Sequence, residues 1–141
     1  MVDLRKMRLV DIYKSPDSVD VLYRLLEERP KSANISHKLM PSRKKHKGFV
    51  ESCPYTAWYL VLVTYGQRVG AIYLTREDEI GVSIFKDHER CGYATTAIRM
   101  LMGLHPRKRF LANINPENEG SIAMFEKLGF SHIQNTYALD V

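Results

Sequence analysis

Ile80-Gly81-Val82-Ser83-Ile84-Phe85-Lys86-Asp87-His88-Glu89-Arg90-Cys91-Gly92-Tyr93-Ala94-Thr95 reads as a strand, a short charged loop and the opening of a helix. Residues 79–85 have the β-branched and aromatic content of a strand. From Ala94 onward the apolar positions switch to helical spacing, with Ala94, Ala97, Ile98 and Leu101 on one face. A strand-to-helix turn of this kind aims several backbone N–H groups at one point, and the positive end of the helix dipole adds to their pull on an anion. Gly92 has no Cβ to obstruct a phosphate, so the turn from Arg90 through Cys91, Gly92, Tyr93 and Ala94 to Thr95 suits a pyrophosphate. The loop has neither the Gly-Lys-Ser/Thr ending of a nucleotide-triphosphatase loop nor the three glycines of the dinucleotide fingerprint.

Upstream, Ala57-Trp58-Tyr59-Leu60-Val61-Leu62-Val63 is apolar throughout and short, as in a strand buried on both faces. Gly66 supplies a turn, residues 69–75 form the next strand, and the charged Arg76-Glu77-Asp78 separates it from the strand at 79–85. Three successive strands imply an antiparallel meander. Residues 7–12 can form a first strand, and Ser15-Pro16-Asp17 opens a helix whose apolar stripe is Val19, Leu22, Tyr23 and Leu26 and whose limit is Pro30. Residues 31–54 are sparse in apolar positions; a short exposed helix near 42–52 carries the basic run from Arg43 to Lys47. Downstream, 110–114 reads as a strand and 119–128 as a helix capped by Asn118 and ended by Gly129. A last strand spans 131–139. The order is β, α, α, β, β, β, α, β, α, β.

A chain of 141 residues with 45% apolar content can bury its own core, so one domain over 1–141 is expected. Cys53 and Cys91 form no C-x-x-C pair and have no histidine at ligand spacing, which suggests neither disulfide nor metal site. No apolar run approaches the length of a membrane span, and a cytoplasmic protein is expected. The net charge of +5 favours an anionic partner, whether nucleic acid, a nucleotide sugar or cofactor phosphates.

The loop segment and the stretch Asn118-x-x-Ser121-x-x-x-Phe125-x-x-x-Gly129-Phe130 together resemble motifs A and B of the GNAT acetyltransferases. The family pattern is Q/R-x-x-G-x-G/A followed by N-x-x-[AS]-x-x-x-[YF]-x-x-x-G-F; here the first reads Glu89-x-x-Gly92-x-Ala94. The resemblance implies an α/β (α+β) fold with a mixed sheet of about six to seven strands flanked by about four helices. It implies N-acetyl transfer from acetyl-CoA to a primary amine by direct attack in a ternary complex. In that family the pantetheine arm lies between splayed fourth and fifth strands, which assigns Val82, Ser83, Ile84 and Phe85 to the arm, with an N–H of Val82 or Ile84 on the thioester oxygen. The residues from Arg90 to Thr95 would hold the diphosphate; Asn118, Ser121, Phe125 and Lys127 complete the cofactor set.

Two positions depart from the pattern. Glu89 replaces the usual Gln or Arg, and Phe125 stands where many relatives carry a tyrosine that protonates the leaving thiolate. A thiol titrates at about 8.5, so a thiolate can leave near neutral pH without that acid. Glu79 is the expected general base and Asn113 its companion near the acceptor, with Ser83 and Tyr137 as lesser candidates. The expected partner is a small-molecule amine, for example an amino sugar linked to a nucleotide; a homodimer is left open, and neither membrane nor nucleic acid is expected. The competing readings are a protein or peptide amine as acceptor, and a non-catalytic module that binds acyl-CoA or nucleic acid.

Overall fold

A computed structural model of the chain describes residues 3–30 and 39–141. Its regular elements are β1 (Arg8–Asp11), α1 (Ser18–Glu28), α2 (Arg43–Glu51), β2 (Ala57–Leu62), β3 (Arg68–Leu74), β4 (Ile80–Ile84), α3 (Tyr93–Leu104) and α4 (Glu119–Lys127). The strands lie in the order β1-β2-β3-β4, each antiparallel to its neighbour. The meander and the four helices match the expected α/β class.

Both faces of the sheet are covered, which is why β2 is apolar at almost every position. Side chains alternate along a strand, so Trp58, Leu60 and Leu62 pack with Ile12, Val21, Leu22, Leu25, Val50 and Phe85 on the α1–α2 side. Val61, Val63, Ile72, Leu74 and Ile80 pack with Tyr93, Ala97, Ile98, Leu101 and Phe125 on the α3–α4 side. The register of β2 shifts between Val61 and Leu62 opposite Gly70, where a Cβ would stand 2.2 Å from the Ser83 carbonyl oxygen. In α1 the buried face is Ser18, Val21, Leu22 and Leu25, rotated from the expected stripe; Val19, Tyr23 and Leu26 are half-buried. The inward face is set by docking of α1 on Trp58, Leu60, Leu62 and Val50, while the Asp17 carboxylate leaves the helix start uncapped and pairs with Arg68 at 2.8 Å.

Helix α4 ends as its sequence predicts. Gly129 has φ +99°, its N–H donates to the Glu126 carbonyl at 3.0 Å, and the Phe130 N–H donates back to Phe125 at 3.0 Å. These two bonds form a Schellman motif, closed by the edge-to-face contact of Phe125 with Phe130.

Among the described residues the sheet has four strands, where six to seven are expected. Residues 110–114 meet β4 through one parallel bridge, Glu79 with Leu111, and then leave it. Residues 131–141 form no strand and all are exposed, with Ile133 at 62% and Tyr137 at 90%. Strand propensity acts only where a backbone ladder and a covered face exist, and neither is offered to 131–141 among the described residues.

Candidate active site

The site begins at the turn that delivers β4. The Thr75 N–H donates to the Glu79 carbonyl at 2.8 Å, and the Thr75 hydroxyl oxygen accepts from the N–H groups of Glu77 and Glu79 at 3.2 and 3.0 Å. Asp78 takes the left-handed conformation, φ +66°, and its carboxylate pairs with Arg107. This geometry fixes Glu79 at the point where the chain at 110–114 touches β4. The Thr75 hydroxyl donates to one Glu79 carboxylate oxygen at 3.1 Å, and the Asn113 side-chain amide donates to the other. The two expected catalytic side chains are therefore neighbours, although 34 positions apart in sequence.

Beyond Ile80 a gap opens along the edge of β4. The Phe85 N–H donates to Val69 in β3 at 2.8 Å, whereas the Ile80 N–H donates the other way, to Leu111, at 2.8 Å. Backbone groups of a strand alternate in direction, so Gly81 and Ser83 face β3 with Phe85, while Val82 and Ile84 face away with Ile80. Among the described residues no backbone group meets Val82 or Ile84 at that edge. Of the four residues expected on the arm, these two present edge amides. Ser83 and Phe85 differ from that expectation, because their N–H groups belong to the β3 ladder and the Phe85 side chain is buried beneath the Arg24 guanidinium.

Past the gap, the chain turns into α3 through two left-handed residues, Arg90 at φ +63° and Gly92 at φ +82°. Gly92 is the N-cap of α3 and provides no side-chain hydrogen bond, so the first-turn N–H groups of Tyr93, Ala94 and Thr95 have no partner among the described residues. The space where a Cβ would stand on Gly92 holds only the Leu4 side chain, at 3.4 Å. Open amides on an uncapped helix start next to an unpaired strand edge fit an extended arm ending in a diphosphate. Cys91, Ala94 and Thr95 are half-buried, whereas the ring of Tyr93 belongs to the core.

On α4 the Asn118 side-chain oxygen accepts from the Ser121 N–H at 3.2 Å, so its oxygen serves as the helix cap. Phe125 is 5% exposed and packed in the core, and Lys127 is exposed. Tyr137, at 90% exposed, is in the unpaired C-terminal stretch.

The opposite side of β4 faces a cavity of about 760 Å³ between α1, α2 and the sheet. Gly81 and Ser83 line it, together with a group of aromatic rings and His46. Burial is the main cause that pushes the phenols of Tyr55 and Tyr73 above their usual range, so both stay protonated as donors. None of these rings was singled out from the sequence. Tyr55 and Trp58 look like the start of a buried strand, and Tyr73 enters the site only through its cross-strand pairing with Gly81. The basic run forms α2 and is largely spent on its surroundings. Arg43 contacts Asp20 at 3.3 Å and the Tyr23 ring, Lys47 pairs with Glu51 at 3.7 Å, and Lys45 lines the cavity.

The sequence matches the family model described as an acetyltransferase (GNAT) domain over residues 4–131. No curated protein matches the chain by sequence. Solved structures share the fold at low identity. A domain from Methanocaldococcus jannaschii is 17% identical, with a TM-score of 0.80 over 93% of this chain and 92% of its own. The spermidine/spermine N-acetyltransferase SpeG of Vibrio cholerae, in mutant forms, is 14% identical with a TM-score of 0.71, covering 90% and 80%. The microcin C7 self-immunity acetyltransferase MccE, in complex with acetyl-CoA and AMP, is 16% identical with a TM-score of 0.68, covering 89% and 79%.

Proposed function

The chain belongs to the GNAT acetyltransferase family, and from that premise we propose that it acetylates the primary amine of a small molecule entering from the α1–α2 face of the sheet. It is an acetyl-CoA-dependent N-acetyltransferase, and we place its action in the cytoplasm. The observation that carries the reading is the unpaired edge of β4 at Val82 and Ile84, adjoining the uncapped start of α3.

Acetyl-CoA bound along that edge supplies an activated thioester. The chain's own groups then divide the work. The amides of Tyr93, Ala94 and Thr95 hold the diphosphate, and the Val82 N–H donates to the thioester oxygen as negative charge develops there; removing such a donor costs about 10²–10³ in kcat. Glu79, oriented by Thr75 and Asn113, takes the proton that the acceptor ammonium must lose, directly or through water. Phe125 is buried and has no proton to give, so the thiolate leaves without an acid at that position. Within the basic run Arg43 and Lys47 are paired on the surface, and Lys45 is the lysine that lines the cavity.

The test is a screen of primary amines in which CoA release is followed with a thiol reagent. Wild-type protein should release CoA with at least one small amine. Glu79→Gln should depress the rate at neutral pH and recover as rising pH supplies free amine. Absence of CoA release with every amine would reject the enzyme reading, and an unchanged pH–rate profile would remove Glu79 from it.

A further inference from the structure

Resting on the proposed acceptor site, we infer that the amine accepted by this chain is carried on a flat aromatic or heteroaromatic ring. The cavity beside β4 has one wall made of rings. Tyr55 and Tyr73 are stacked with centroids 4.1 Å apart and planes 6° from parallel. Trp58 meets Tyr55 edge-on at 4.7 Å and 71°, and Phe49 meets both, at 5.8 and 6.1 Å. These rings line the cavity, and an aromatic wall favours a further ring over aliphatic contact.

The wall is built at the cost of a strand residue. Tyr73 pairs across the sheet with Gly81, and a Cβ on Gly81 would come within 2.0 Å of the Tyr73 ring carbon Cζ. A glycine inside a strand weakens it, and here it lets the Tyr73 ring lie over β4, one residue from the proposed oxyanion donor Val82.

Two buried polar atoms belong to residues that line the cavity. Trp58 is 8% exposed and His46 4%, both line the cavity, and Trp58 Nε1 and His46 Nε2 have no hydrogen-bond partner among the described residues. Buried polar groups left without a partner are rare and call for an explanation. Trp58 Nε1 can only donate, so it suits a ring oxygen or nitrogen acceptor. Burial holds the His46 pKa below its usual value, which favours the neutral ring, and its Nε2 has no partner among the described residues to occupy it.

The charges on the lining exclude a polycation. Glu27 is the lone carboxylate among the described lining residues, set against Arg29 and Lys45. A chain of several ammonium groups requires paired carboxylates that the described lining residues do not offer. A single amine on a ring requires only the Glu79 base beyond the wall.

The experiment compares 2-phenylethylamine and tryptamine with 2-cyclohexylethylamine and spermidine at saturating acetyl-CoA, reading kcat/KM from CoA release, with acetyl-CoA affinity measured in parallel by calorimetry. The expected result is a preference of about ten-fold or more for the aromatic amines over both others. Tyr55→Leu and, independently, Tyr73→Leu should shrink that preference toward unity through KM while the acetyl-CoA Kd stays unchanged. Equal or better turnover of cyclohexylethylamine or spermidine, or no turnover of either aromatic amine by protein that binds acetyl-CoA, overturns the inference and leaves the family activity intact. Loss of acetyl-CoA binding by wild-type protein would instead overturn the reading on which it rests.

Discussion

Gly92 is a residue whose role is legible in its place along the chain. Its position at a strand-to-helix turn marks a close backbone approach, and the φ of +82° adds a steric demand that other side chains meet at a cost of about 1–2 kcal/mol. Gly92→Glu should therefore lower the melting temperature by a few degrees and remove measurable acetyl-CoA affinity in calorimetry; undiminished binding would contradict the phosphate site. His46 was legible only as part of a basic run, because burial is decided by how α2 docks on α1 and not by its neighbours in sequence. Burial, with the Arg43 charge acting in the same direction, lowers its pKa from the usual 6.5. The unfolded chain then binds the proton more readily than the folded one, so stability is fully present above about 6.5 and is lost as pH falls through the folded value. His46→Phe, which keeps a ring against Tyr23, should show a smaller fall in Tm than wild type between about pH 7 and 5. Equal slopes in differential scanning calorimetry would show that His46 does not carry the effect.

At the scale of elements, β4 has two unlike edges, and proline can tell them apart. Ser83 faces the β3 ladder and Val82 the open side. Ser83→Pro should cost the fold a ladder bond and several degrees of Tm. Val82→Pro removes an amide that no strand among the described residues uses, so it should lower Tm less while reducing kcat by about 10²–10³. If both variants lose stability equally and Val82→Pro keeps its turnover, the oxyanion role belongs elsewhere. Elements with local signals were readable from sequence: the Asn118 cap, the Gly129 stop and the helical stripe of α3 all depend on residues within a few positions of one another. Residues 110–114 and 131–139 carry strand-like residues too, but a strand is completed by a partner, and pairing partners are not written in the local sequence. The aromatic wall stayed hidden for the same reason, since Tyr73 and Gly81 become one feature only through the register of β3 and β4.

Across the whole molecule, the sheet is a partition. In the proposed arrangement acetyl-CoA approaches one edge of β4 and the acceptor the face lined by Gly81 and Ser83, so both reactants would converge on the same five-residue strand. The net charge of +5 suits the phosphates of the donor, and ligand binding to the folded state alone should raise the melting temperature in proportion to the logarithm of acetyl-CoA concentration. An oligonucleotide giving an equal shift would favour a nucleic-acid partner instead. The most direct test is amide hydrogen exchange along β4 and the start of α3, with and without acetyl-CoA. Val82, Ile84, Tyr93, Ala94 and Thr95 should exchange freely in the apo protein and slow on binding, while Ser83 and Phe85 stay protected throughout. Val82 and Ile84 amides that are already protected without acetyl-CoA, or that gain nothing from it, would contradict the account.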